Sequence, residues 1–383
     1  MTRLSSGDIA NPRTRSKPGK WDDGLFFVMT MWLCSRLLII VAIQLIAPLL
    51  PVPPVNFSPS LLGSLPNYVP QPSWEVFSHW DGAWYRQIAT EGYNYVNDGQ
   101  QYSVAFFPLF PLLCRGLMTL GIPFNVAGTL VNNLGMLGAM LLLYRWAKER
   151  YGLKTARWVT AVLAWCPFSL YGTVIYTEGL FLWLTTAAMR AFEQHQPIKA
   201  AVWGALATAT RVTGAALIPA FLWVAWRERR PAIAYAAGLA ASSGLILFSI
   251  YCGIRFADPI AFVRVQRAWW QPTWFYILTH AVRLNVEDLT RVAMFFGCSF
   301  LLWHFRRQLP RVLVAFGFCC LLMLLVSGGL QSISRYVYGI VSFSLALGML
   351  LERHPRWGYP LILLFAINLV VYALRFAWWR WVA

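Results

Sequence analysis

Stretches that could each cross a lipid bilayer constrain this chain more than any motif in it. The segments 25–50, 126–146, 231–253, 311–328 and 358–377 are long, apolar and almost free of charge. A spanning helix needs about 20 such residues, whereas a barrel strand needs only about 10 that alternate. Hydrophobic residues make up 58% of the chain and charged ones 12%, against about 25% charged in soluble domains. A soluble core of this size has no room for so much apolar surface. These features exclude soluble, disordered and fibrous classes. They predict an all-α polytopic membrane protein with about 10–12 transmembrane helices.

Charge sets the orientation. A net charge of +17 would suggest nucleic acid in a soluble protein. In a membrane protein, basic residues gather in cytoplasmic loops, and no nucleic-acid partner is expected. Residues 1–24 carry Arg3, Arg13, Arg15, Lys17 and Lys20, and no small-residue cleavage site follows the run 25–50. This predicts a cytoplasmic tail and an uncleaved anchor, opening one membrane domain over 25–383. A Pro- and aromatic-rich loop, 51–103, then lies outside. The next apolar piece, 106–120, is short and holds Pro108 and Pro111. It is expected to be interfacial or re-entrant, because Arg145, Lys148, Arg150, Lys154 and Arg157 after 126–146 need the inside.

The segments 156–172 and 174–191 then read as an outward and an inward span, joined near 176–179. The stretch 199–226 holds Arg211 at its middle and ends in Arg227, Arg229 and Arg230. Two half-helices turning at Arg211 keep those arginines inside, and such a break is tolerated where it lines a cavity. A span at 231–253 leads to a second outer segment, 254–288, and spans at 289–305, 311–328, 334–351 and 358–377 follow. The 20 Trp and 16 Tyr suit interfacial belts. The seven Cys lie in or beside apolar runs without C-x-x-C spacing, as buried apolar residues do.

On this topology a general base for outer-face chemistry must come from Glu75, Asp81, Glu91, Asp98, Glu178, Asp258, Glu287 or Asp288, or from His79 or His280. Asp81 lies in His79-Trp80-Asp81-Gly82-Ala83-Trp84-Tyr85. A carboxylate among aromatics is partly desolvated, which suits a base, and Gly82 admits close approach to the backbone. Asp81 could equally cap a short helix running through Arg86. Glu178 stands between two apolar runs with almost no polar loop, where a carboxylate needs a partner or a wet cavity; an exposed loop carboxylate is the alternative. Arg211 could bind phosphate, or pair with Glu178 or another acid. Arg335, in Ser334-Arg335-Tyr336, could hold a lipid phosphate or simply snorkel. Arg255, Arg264, Arg267 and Arg283, interleaved with Trp269, Trp270 and Trp274, suit a headgroup, a sugar or any interfacial helix.

No phosphate-binding glycine loop, dinucleotide fingerprint, nucleophile elbow or H-E-x-x-H occurs. His79 and Asp81 offer a divalent cation two ligands, fewer than a site needs. No cofactor is therefore expected, with a divalent metal as the weaker alternative.

The block His79–Tyr85, then Ile88-Ala89 and Glu91-Gly92-Tyr93, followed by Phe106-Phe107-Pro108-Leu109-Phe110-Pro111, resembles the first-loop signature of PIG-V-type mannosyltransferases. Looser matches are Asn132-Asn133, Tyr171 through Tyr176-Thr177-Glu178-Gly179, Ala209-Thr210-Arg211-Val212-Thr213-Gly214 and Ser334-Arg335-Tyr336. The resemblance spans roughly 75–340. It implies a GT-C fold with interfacial helices in the outer loops. It also implies a polyprenyl-phosphate-sugar donor, a lipid or glycan acceptor, and inverting transfer on the outer or luminal face. Asp81 matches the expected base. His79, Trp80, Tyr85, Arg86, Arg211, Arg335 and Tyr336 are then candidates for substrate binding, with Glu178 holding a sugar hydroxyl at the catalytic centre. The compact first loop points to a prokaryotic relative in the plasma membrane; a eukaryotic one would lie in the endoplasmic reticulum. The alternatives are a transporter or flippase of a lipid-linked substrate, and a non-catalytic subunit of a glycosylation complex.

Overall fold

The computed structural model describes residues 22–51, 69–269, 272–327 and 330–382. Most of the expected cytoplasmic tail, residues 52–68 of the first outer loop and Trp270 lie outside the described residues.

Among the described residues every regular element is helical. Helix α1 (Asp22–Val41) runs on through a π turn and a 3-10 turn, and the whole stretch Gly24–Leu49 is long and apolar enough to span. The first loop contributes a 3-10 turn (Trp74–Ser78) and α2 (Asp81–Thr90), whose inward face is Gly82, Tyr85, Ile88 and Ala89. Helix α3 (Leu109–Met118) has only 10 residues, too few to span, in keeping with the expected interfacial piece. Helix α4 (Phe124–Tyr151) has 28 residues, roughly 42 Å. It starts after Pro123 and stops at Gly152, where φ is +89°.

Next come α5 (Leu153–Trp165), halted by Pro167, and α6 (Glu178–Glu193). Helix α7 (Pro197–Thr208) ends before Arg211, which is extended, and the chain resumes as a 3-10 turn and α8 (Leu217–Arg227). The expected break at Arg211 is present. Helices α9 (Ala232–Ala240) and α10 (Ser243–Phe256) meet at 40° where a straight span is expected. The second outer segment carries α11 (Ala261–Arg264) and α12 (Trp274–Val282), and α13 (Val286–Phe305) begins where Asn285 Oδ1 accepts from the backbone N–H of Glu287 and Asp288. The remainder is α14 (Arg311–Ser327), α15 (Ile333–Tyr338), α16 (Val341–Arg353) and α17 (Pro355–Ala377).

A further break was likewise not expected from the sequence. The segments Leu330–Tyr338 and Val341–Arg353 are bent by 63°, so Arg335 stands on a short helix rather than in the first turn of a long one. Among the described residues three helices are individually long and apolar enough to cross a membrane, and the two bent pairs raise that to five. Three shorter apolar helices, Leu109–Met118, Val212–Arg227 and Arg311–Val326, add to these, a total below the ten to twelve spans expected. The outer faces stay apolar: Phe26 and Leu33 on α1 and Leu363, Leu364 and Ile367 on α17 are all exposed. An apolar exterior around a packed core is what a bilayer requires. Five of the seven Cys are buried as expected, whereas Cys34 is exposed on α1 and Cys319 half-buried.

Helix α4 against α6 is the close contact on which the polar centre rests. A Cβ on Gly135 would come 2.6 Å from Leu180 N, and one on Gly179 would come 2.2 Å from the Asn132 carbonyl oxygen. Small residues let membrane helices approach to backbone contact. Buried Asn132 then bonds across the gap, donating to the carbonyls of Tyr171 (2.6 Å) and Val174 (2.7 Å) and accepting from Gly179 N–H (2.8 Å).

Candidate active site

Four charged side chains from four separate segments meet at one point. Asp81 is the first residue of α2, Glu178 the first of α6, Arg211 the extended residue after α7, and Arg335 stands on α15. Arg335 Nη1 donates to Asp81 Oδ2 at 2.6 Å, and its Nε lies 3.4 Å from Glu178 Oε1. Arg211 Nη1 donates to the same Glu178 oxygen. Two carboxylates and two guanidinium groups therefore form a neutral cluster, which is how charge is held at low-dielectric depth. Of the four side chains Asp81 is the most open, at 18% exposure against 1% for Glu178 and 6% for Arg335. It is therefore the more accessible of the two acids.

Local structure fixes each member. Glu178 faces the N-terminus of its own helix, where the dipole favours negative charge, and its Oε2 accepts from Thr177 N–H at 3.1 Å. Asp81 does not cap α2: the capping position is Trp80, and the carboxylate turns to Arg335 instead. Trp80 has φ of +57°, a conformation that costs a bulky residue roughly 1–3 kcal/mol. The first loop is tied down beside the cluster by Ile175 N–H donating to Phe77 O at 2.9 Å.

Aromatic rings wall the cations. The Arg335 guanidinium carbon lies 5.3, 5.1 and 5.5 Å from the ring centres of Tyr171, Tyr176 and Tyr336, and that of Arg211 lies 5.0 Å from Tyr336. Such contacts help hold a desolvated cation. Tyr85, one turn after Asp81, is buried edge-on against Phe106 and Phe110.

The expected site residues divide accordingly. Asp81, Glu178, Arg211, Arg335 and Tyr336 come together, with Tyr85 close behind Asp81 on α2. His79, Trp80 and Arg86 lie outside the charge cluster. The His79 ring stacks on Trp379 at 3.9 Å, and its Nδ1 is 3.1 Å from the Phe376 carbonyl oxygen, so it fastens the first loop to the end of α17. Burial pushes its pKa down to about 4, partly opposed by that carbonyl. Trp80 packs edge-on to Trp381. Arg86 is exposed and pairs with Glu75 at 3.7 Å.

The other outer acids are engaged elsewhere or open. Asp98 accepts from Tyr102, Asp258 from Tyr95, Glu287 pairs with Arg375, Asp288 with Arg291, and Glu91 is exposed. His280 stacks on Tyr276. In the second outer segment Arg264 pairs with Asp258, and Trp269 meets Trp84 and Phe106 edge-on. Two contributors lay beyond sequence reasoning: the Tyr176 hydroxyl, 3.4 Å from Asp81 N, and the Trp379–Trp381 anchor. The dense tryptophans of the C-terminal segment were the available signal for the latter.

Among the described residues no three His, Cys, Asp or Glu side chains gather as metal ligands. A cation placed between Asp81 and Glu178 would also face two guanidinium groups.

Comparison with solved structures gives the fold. ArnT from Cupriavidus metallidurans bound to undecaprenyl phosphate aligns with a TM-score of 0.57 at 14% identity, over 88% of this chain and 63% of that one. The same enzyme in the apo state aligns at 0.55 and 14%, over 88% and 62%. The chain thus spans less than two thirds of the ArnT length. The fold is that of the GT-C class of membrane glycosyltransferases, as the sequence resemblance implied. The model of the mannosyltransferase (PIG-V) family matches residues 25–225, more than half of the chain, and the chain belongs to that family. The matched region includes Asp81, Glu178 and Arg211. Comparison with curated proteins gives no match.

Proposed function

We propose that this chain moves a sugar, mannose by its family, from a polyprenyl-phosphate carrier to a hydroxyl of a lipid or glycan acceptor, with inversion, on the outer or luminal face. The observation that carries the reading is the Asp81–Arg335–Glu178–Arg211 cluster, which joins a reachable carboxylate to two fixed cations.

In this mechanism Asp81 accepts the proton of the acceptor hydroxyl. The oxygen forms a bond to the anomeric carbon from the face opposite the carrier. The bond between that carbon and the phosphate oxygen breaks, and its electron pair leaves with the polyprenyl phosphate. Arg335 and Arg211 balance the charge that grows on the phosphate, where preorganised donors in a water-poor site act most strongly. Glu178 holds both arginines in place and accepts from a sugar hydroxyl. Arg335 is engaged by Asp81 before substrate arrives, so a donor phosphate that takes over Arg335 also releases Asp81 to act as base. Donor therefore binds before acceptor. The side assignment rests on the basic residues gathered at the opposite end of the helices.

The test uses purified protein in detergent with radiolabelled polyprenyl-phosphate-mannose and total membrane lipid as acceptor. Wild type is expected to form a labelled lipid product that Asp81→Asn does not. Near-normal turnover by Asp81→Asn would remove the base assignment. Uptake of the labelled donor by proteoliposomes without product would replace transfer by transport.

A further inference from the structure

At the end of the bundle remote from Asp81, the helix ends flank an open-mouthed cavity of about 450 Å³ lined by Arg150, Arg230, Arg306, Arg307 and Arg311 with Glu193 and Glu228. Helix α6 connects the two ends: Glu178 starts it and Glu193 finishes it, roughly 22 Å apart along the axis. Both acids are already used. Glu193 accepts from Trp146 Nε1 and Arg150, each at 2.6 Å, and Glu228 accepts from Arg230 at 2.7 Å and Arg311 at 3.1 Å. Among the described residues Arg306 has no carboxylate partner. It donates to the Trp303 carbonyl at 2.6 Å and lies 3.9 Å over the Trp303 ring. Arg307 is exposed, with no hydrogen bond or ion pair among the described residues. Five arginines against two saturated glutamates leave positive charge in excess around one open-mouthed cavity.

We infer that this cavity is a second binding site, for the phosphate headgroup of an anionic lipid in the leaflet opposite the Asp81 cluster. The flanking residues favour a lipid over a soluble anion. Trp226 on α8 and Trp303 on α13 are 66% and 60% exposed, on the same helix ends that supply Val224 and Arg306. Indole rings at helix ends mark the headgroup level of a bilayer, and basic pockets between spanning helices bind anionic headgroups there. The paired glutamates hold three of the arginines in fixed geometry, so a phosphate meets a preformed cradle, with Arg306 and Arg307 unpaired with any acid among the described residues and able to fork onto its oxygens. The site is distinct from the transfer chemistry and stands or falls without it.

The full chain in a neutral detergent would be titrated with phosphatidylglycerol, with phosphatidylcholine and with inorganic phosphate. Bound lipid would be counted by native mass spectrometry and stability followed by thermal unfolding. Phosphatidylglycerol is expected to stay bound and raise Tm, more at low salt than at high salt. Arg307→Gln and the pair Arg306→Gln with Arg307→Gln should weaken binding about fivefold per arginine removed. Arg115→Gln, which removes an exposed arginine on α3 before the start of α4, should leave it unchanged. Equal retention of phosphatidylcholine, or undiminished binding by the double variant, would overturn the site. Stabilisation by inorganic phosphate equal to that by the lipid would overturn the lipid assignment in favour of a soluble anion.

Discussion

Asp81 and Arg335 are 254 positions apart in sequence and 2.6 Å apart in space. Their pairing decides what substitutions there will do. Asp81→Asn keeps the shape and can still accept from Arg335, so the protein should stay folded while transfer falls to background, read by labelled product beside a thermal unfolding curve. Arg335→Ala is different. It strips Asp81 and buried Glu178 of a shared cation, and breaking such a pair costs roughly 3–5 kcal/mol. Its Tm should drop well below that of Asp81→Asn. Arg335→Lys keeps the charge but not the fork, and should fold and show a raised donor KM. An unchanged donor KM in Arg335→Lys would count against a phosphate role for this residue. The types of these residues and their odd positions in apolar sequence were legible from the chain alone; who pairs with whom was not.

Helix α6 is the element that orders the site, and α4 is what orders α6. The contact has no slack, since a Cβ on Gly179 would meet the Asn132 carbonyl oxygen at 2.2 Å. Gly179→Ala should force the helices apart and move Glu178. Its destabilisation is expected at the upper end of the roughly 1–3 kcal/mol usual for overpacking, together with loss of transfer. Asn132→Ala leaves the buried Tyr171 carbonyl and the Gly179 N–H without a partner and takes one of two donors from the Val174 carbonyl, and should lower Tm by a similar or larger amount. Both effects would show as lower Tm in detergent. At this scale the sequence was informative where charge and helix breaking coincide. The turn at Arg211 followed from arginines that needed one side of the membrane. The 63° bend before Val341 has no such signal, because Ser332 through Gly339 reads as an ordinary apolar helix start.

Across the whole molecule, the first loop is closed against the last helix by His79, whose ring is buried on Phe376 and Trp379. Its pKa of about 4 lies below the unfolded value of about 6.5. The unfolded chain therefore binds a proton that the folded chain refuses between those two pH values. The stability this adds is fully present above pH 6.5 and is lost as pH falls toward 4, by about 3 kcal/mol at most. Thermal unfolding followed from pH 7 to 4 should show a steep fall in wild type and a shallower one in His79→Gln, which carries no such proton. Parallel slopes would mean that His79 is not the group responsible.

Membrane residence followed from the sequence, because runs of apolar residues without charge have only one solvent that suits them. So did the helical class, because an isolated backbone in lipid must satisfy its own hydrogen bonds. The candidate acids and bases were legible too, since ionisable groups in such runs are few and need a reason. The tertiary structure alone decided which of them share a site. Glu178 and Arg211 are 33 positions apart, while Asp81 and Arg335 come from distant ends of the chain. Pairings over such separations depend on helix breaks and backbone-to-backbone packing that no local pattern encodes. The same structure moved His79, Trp80 and Arg86 out of the charge cluster, because their neighbours in space are the C-terminal aromatics and Glu75 rather than their neighbours in sequence.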